Sequence, residues 1–179
     1  MSRERHAAQD ISYAHSAESK RGQIVIKLLE NATGRLTLIK RARGYQDEVA
    51  QGRDFWQVMV ERYGLSLDVV GGSIDHIPKT GPVILIANHP YGILDGIMLG
   101  HILSSVRGDF RILAHKVFQK SDELNRSILP VSFDDTKQAM RDNIHTRRQA
   151  LDFLADGGAI GIFPGGTVST ARTLFAKPI

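Results

Sequence analysis

Apolar residues fall along this chain in two patterns, short unbroken blocks and stripes recurring every three or four positions, and from residue 65 onward the two alternate. The clearest block is Val83-Ile84-Leu85-Ile86-Ala87. It is rich in β-branched residues and bounded by Gly81-Pro82 and Asn88, the pattern of a central strand buried on both faces. Residues 65 to 70, 110 to 114, 128 to 133 and 159 to 163 read as further strands. Pro130 marks the segment 128 to 133 as an edge or irregular strand, because it cannot donate to a ladder. Stripes predict helices over 24 to 43 (Val25, Leu28, Leu29, Ala32, Leu36, Ile39) and 47 to 63 (Val49, Trp56, Val60, Tyr63), with Phe55 and Trp56 in a core. Two more span 94 to 106 and, after the capping residues Asp134-Asp135-Thr136, the stretch through Asp156, whose inward stripe is Met140, Ile144, Leu151 and Leu154. Gly64 and Gly157-Gly158 stop the helices they follow, and Gly34 bends or splits the first. Strands alternating with helices predict an α/β fold, a central and mostly parallel sheet flanked by helices and preceded by N-terminal amphipathic helices.

At 179 residues the chain holds one substantial core. Its expected divisions are a mobile leader at 1 to 19, amphipathic helices at 20 to 64, and the α/β domain at 65 to 179. Cysteine is absent, so disulfides, thiolate catalysis and zinc–thiolate sites drop out. No apolar run approaches the roughly 18 residues a bilayer span requires. Twenty-three Lys and Arg against nineteen Asp and Glu give a net charge of +4. The surplus is local. Between residues 20 and 43, seven basic side chains against Glu30 give +6, so the remainder carries −2. This basic amphipathic segment fits either an anionic membrane surface or a packed helix with a solvated basic face. Nucleic acid is not expected, because the basic residues lack interleaved aromatics.

The candidate chemistry begins where the block at 83 to 87 ends. His89 follows the strand, Pro90 and Gly92 shape a turn, and Asp95 stands at the next helix start. A carboxylate there could fix the imidazole tautomer and stabilise its cation, freeing the other nitrogen to take a proton from an attacking hydroxyl. The pair alone equally fits two capping residues. His115 and Lys116 follow a second strand, at the carboxyl edge where open α/β sheets bind ligands, and Lys116 suits an anion. The glycine-rich loop Pro164-Gly165-Gly166-Thr167-Val168-Ser169-Thr170 follows a third, where bare backbone and hydroxyls can converge on phosphate oxygens. His89, His101 and His115 show no metal-ligand spacing, and no metal is expected.

Asn88-His89 with Asp95, followed by Phe163-Pro164-Gly165-Gly166-Thr167-Val168-Ser169, resembles the glycerophospholipid acyltransferase family and its bacterial hemolysin-like branch, whose patterns are N-H-x4-D and F-P-E-G-T-R-S. The resemblance covers residues 65 to 179 and implies that His89 and Asp95 are the catalytic pair, with Gly166, Thr167 and Ser169 at the acceptor; Gly165, in the same loop, and Lys116, from its place after the second strand, are the further candidates there. Three departures stand out. Five residues separate His89 from Asp95, Gly165 replaces glutamate and Val168 replaces arginine. Loss of that arginine removes a planar phosphate ligand and leaves the acceptor open to an aminoacyl or other lyso-lipid. Family members also continue well past the second block, which predicts an incomplete domain here.

The resemblance thus implies acyl transfer from acyl-carrier protein or acyl-CoA to a lyso-lipid, without a cofactor, by a peripheral protein on the cytoplasmic face of the membrane. Two other classes stay open from the residues. The same pair could activate water in a lipid or thioester hydrolase, or the domain could be a non-catalytic membrane binder.

Overall fold

The structure, a computed structural model, describes residues 35–119 and 121–165. The leader at 1 to 19 and most of the basic segment lie outside the described residues, as do Gly166, Thr167 and Ser169. The chain divides into two compact units, with the boundary in the sequence between Gly64 and Leu65.

Among the described residues the first unit holds three short helices, α1 (Arg35–Ala42), α2 (Tyr45–Ala50) and α3 (Phe55–Tyr63), with α1 and α2 each packed on α3. The single helix expected over 47 to 63 is therefore two. Gly52 turns left-handed at φ 89°, and the side chain of Asp54 accepts from Gln57 N–H at 2.9 Å, starting a new helix. Phe55 and Trp56 are buried, and Phe55 meets the rings of Tyr45 and Trp56 edge-on. The Arg62 guanidinium closes the turn after α1 by donating to the Arg41 carbonyl at 3.1 Å and the Gly44 carbonyl at 3.0 Å. Gly64, at φ 67°, ends α3.

Tyr63 is 5% exposed, and burial, with Tyr45 adding, pushes its phenol up to about 12. An unfolded tyrosine titrates near 10. Between those values the unfolded chain releases a proton that the folded chain keeps. Stability present below pH 10 is then lost as pH rises to about 12, by about 2 kcal/mol. Tyr63→Phe should flatten that decline, read by urea unfolding at pH 9 and pH 11.

In the second unit four strands, β1 (Val83–Ile86), β2 (Phe110–His115), β3 (Ile128–Val131) and β4 (Ala159–Ile162), form an all-parallel sheet in the order β1-β4-β2-β3. Helices α4 (Ile93–Arg107), α5 (Asp122–Ser127) and α6 (Lys137–Ala155) connect them. This is the α/β architecture expected. On one face α4 packs on β4 and β2, so closely that a Cβ on Gly161 would lie 2.8 Å from a Leu99 methyl. On the other, Leu129, Ala150 and Ile160 form a buried cluster with Leu113, Phe153, Leu154 and Ile162 around it. Arg107, in the last turn of α4, donates to the carbonyls of Pro78, Gly81 and Gly157 at 2.6–2.8 Å, tying the approach to β1 to the approach to β4.

Three expectations need correction. Residues 65 to 70 form no strand: among the described residues they join no ladder, and Val70 is 94% exposed. The 83 to 87 block is not central. Among the described residues β1 pairs with β4 alone, and Ile84 and Ile86 are 48% and 68% exposed. Their register with Ile160 and Ile162 aims them at the α6 side, but α6 lies chiefly over β3 and β4. The inward face of α6 is also not the expected one. Ala139, Thr146 and Ala150 are its buried residues, small enough for the helix to approach the sheet closely, and polar side chains fasten it. Asn143 exchanges two hydrogen bonds with the Ser132 backbone at 2.9 and 2.8 Å, and the Thr146 hydroxyl donates to the Pro130 carbonyl at 2.8 Å. Leu154 is half-buried, whereas Met140, Ile144 and Leu151 face outward.

Pro130 sits on the edge strand β3, where its missing donor costs nothing. Thr136 caps α6 as anticipated, its hydroxyl accepting from Ala139 N–H at 3.0 Å. Among the described residues, no helix is long and apolar enough to cross a membrane.

Candidate active site

Because the strands are parallel, every strand-to-helix loop opens at the same carboxyl edge of the sheet. The loop after β1 carries His89, and the first turn of α4 carries Asp95. Between them Gly92 is buried at φ 63°, ψ −120°, a conformation only glycine adopts without strain, and its carbonyl accepts from Asp95 N–H at 3.2 Å. The turn folds the five-residue spacer back on itself and brings His89 Nδ1 to 3.2 Å from Asp95 Oδ2. That oxygen also accepts from Tyr91 N–H at 2.7 Å, and its place in the first helical turn favours a negative charge. Nδ1 is buried, and its approach to the carboxylate is close but not aligned as a hydrogen bond.

The second motif block lies beside the first. β4 is the neighbour of β1, Ala87 N–H donates to the Ile162 carbonyl at 3.2 Å, and the ring of Phe163 stacks on His89 with centroids 4.2 Å apart. The imidazole is thus held by a carboxylate at its edge and an aromatic face over its plane. Gly165 lies two residues beyond that stacked ring, exposed in the turn that leads away from β4.

Lys116 stands at the same edge, after β2, but β4 intervenes, which sets it about 10 Å from the His89 strand at ordinary strand spacing. Its ammonium is paired with Asp134 Oδ2, which also accepts from the Ser132 hydroxyl at 3.0 Å. The Lys116 hydrogen bond, followed by that of Ser132, holds the Asp134 carboxyl below its usual range. His115 stacks on Phe133 at 5.6 Å. The structure therefore brings His89, Asp95 and the start of the glycine-rich loop together, and leaves Lys116 in a separate ion pair. Among the described residues no three His, Asp or Glu side chains are grouped to hold a metal.

Sequence reasoning missed three features here. Phe163 was read as the end of a strand and the start of the second motif block, with no role of its own, although an aromatic one position past β4 is well placed to cover a histidine on the adjacent loop. The pairing of Lys116 with Asp134 joins residues eighteen apart and leaves no local signal. Helix α5 was signalled, by Ser121 as cap with its side chain accepting from Leu124 N–H and by Asp122 and Glu123 in the first turn.

A family model described as Acyltransferase matches residues 70–178. The lyso-glycine lipid O-acyltransferase of Phocaeicola vulgatus is 25% identical over 119 residues, which is 66% of this chain and 40% of that protein. The chain thus spans about 40% of the length of this curated relative. No solved structure matches it.

Proposed function

Since the chain belongs to the acyltransferase family, we propose that it moves a fatty acyl group from a thioester, on acyl-carrier protein or coenzyme A, to the hydroxyl of a lyso-lipid. The observation that supports this most directly is the 3.2 Å approach of His89 Nδ1 to Asp95 Oδ2 beside the second motif block. In this reading Asp95 orients the imidazole and offsets its charge. His89 Nε2 takes the proton of the acceptor hydroxyl as the oxygen attacks the thioester carbonyl. The tetrahedral intermediate then expels the thiolate, which collects the proton from the imidazolium. The products are the acylated lipid and the free thiol. The loop from Gly165 through Gly166, Thr167 and Ser169 holds the acceptor's head group, and the basic segment at 20 to 43 keeps the protein on the cytoplasmic face of the membrane.

For the acceptor, an aminoacyl lyso-lipid is the favoured class. Val168 stands where the family pattern has arginine, so the fork that grips a phosphate is missing, and the relative above is named for a lyso-glycine lipid. The test is transfer from a radiolabelled acyl thioester on vesicles containing either a lyso-glycine lipid or lysophosphatidic acid. Label in the acylated glycine lipid is the expected result. Label released as free fatty acid with either acceptor would make the protein a hydrolase, and an unconsumed thioester would make it a binder.

A further inference from the structure

The outer face of α6 carries large apolar side chains that the packing of the sheet does not use. Met140, Ile144 and Leu151 are 66%, 58% and 55% exposed. At 100° per residue they fall within about 40° of one another around the helix axis, in a band about 16 Å long. Lys137, Arg141, Arg147 and Arg148, all exposed, lie within about 80° of the centre of this band. Among the described residues none of the four is in an ion pair. The helix's own acids, Asp152 and Asp142, sit about 100° and 180° away. In the turn before the helix, Asp134 is taken up by Lys116, which leaves Asp135 as the single carboxylate near the band.

We infer that this face of α6 is a contact surface for an anionic lipid bilayer. An apolar band flanked on both sides by cations matches a helix lying flat in the interface, with side chains among the acyl chains and guanidinium groups at the phosphates. A second copy of the chain fits less well, because a two-fold pairing would set four cations against the same four. Helix α6 leaves the carboxyl end of β3 and returns to the start of β4, so its Met140 end lies at the edge of the sheet that carries His89. Bilayer contact there sets that edge against the lipid. The surface belongs to the sheet unit itself, is distinct from the basic segment at 20 to 43, and is read by binding rather than by turnover. Its failure and that of the acyltransferase reading are therefore separable.

The absence of cysteine makes the test direct. Single Ile144→Cys and Leu151→Cys variants carry an environment-sensitive fluorophore, with Gln149→Cys on the opposite side of the helix as control. Vesicles of equal phosphatidylglycerol and phosphatidylcholine should shift emission to the blue at 144 and 151 but not at 149, and vesicles of phosphatidylcholine alone should do neither. In the unlabelled chain, Arg147→Glu with Arg148→Glu should weaken partition onto the anionic vesicles about tenfold. Unchanged emission at 144 and 151 in anionic vesicles overturns the inference. So does a blue shift without vesicles that grows with protein concentration, which assigns the face to a second copy.

Discussion

Replacing His89 with alanine should lower acyl transfer about 10³-fold, with the loss in kcat rather than in KM for the acceptor. A positioned general base contributes about 10² to 10⁴ to a rate, and in the proposed mechanism His89 is the group that takes the hydroxyl proton, with Asp95 orienting it. The fold should survive. His89 is half-buried in a loop, and its contribution to stability is the face it shares with Phe163, worth about 1 kcal/mol. Asp95→Asn keeps the shape of the site but cannot offset the imidazolium, so a loss of about 10²-fold is expected, with the pH dependence of kcat altered. Phe163→Leu is the contrasting variant, since it removes the stack and leaves both titrating groups. If the alanine variant retains activity within a factor of ten of the wild type while melting normally, His89 is not the base.

Gly92→Ala should be almost as damaging although it adds a single methyl group that takes no part in proton transfer. Its φ of 63° with ψ of −120° is a region an L side chain enters only under strain, at about 1–3 kcal/mol. The loop has two ways to respond. It can hold its shape and lower the stability of the chain by that amount, or relax and carry His89 away from Asp95. Strands and helix on either side are packed, so the relaxation falls on the loop, and a displacement of about 1 Å at a reacting group costs about 10²-fold in rate. The expected result is therefore a large fall in kcat with a small fall in melting temperature. Gly96, one helical turn on, has open space where a Cβ would be, so Gly96→Ala is a control that should keep full activity.

What the sequence disclosed about this architecture depended on whether the signal was local. Strand β2 and helices α4 and α6 lie within a residue or so of the bounds read from apolar spacing and caps, because runs and capping side chains are properties of neighbouring residues. Which strands touch is not local. The block at 83 to 87 reads the same whether a strand has two neighbours or one, and only the sheet order places it at an edge. The inward face of α6 was misread for a different reason. Size was taken as the mark of burial, whereas close approach to a sheet favours alanine and threonine, and the hydrogen bonds of Asn143 and Thr146 supply what apolar bulk otherwise would. At the site, His89 and Asp95 were legible because motif and turn lie in one short loop. The cover of Phe163 came from a strand distant in sequence and could be seen only once β1 and β4 were side by side.

The edge position of β1 bears on how the protein fails. Among the described residues a single ladder holds this strand, one of its faces is open, and it delivers the histidine. Exchange of its amides with solvent should need less than complete unfolding, since openings that release one outer strand are the cheapest a sheet possesses. On warming, the chain would then lose its reactive geometry while β2 and β4 still hold together, and inactivation would run ahead of melting.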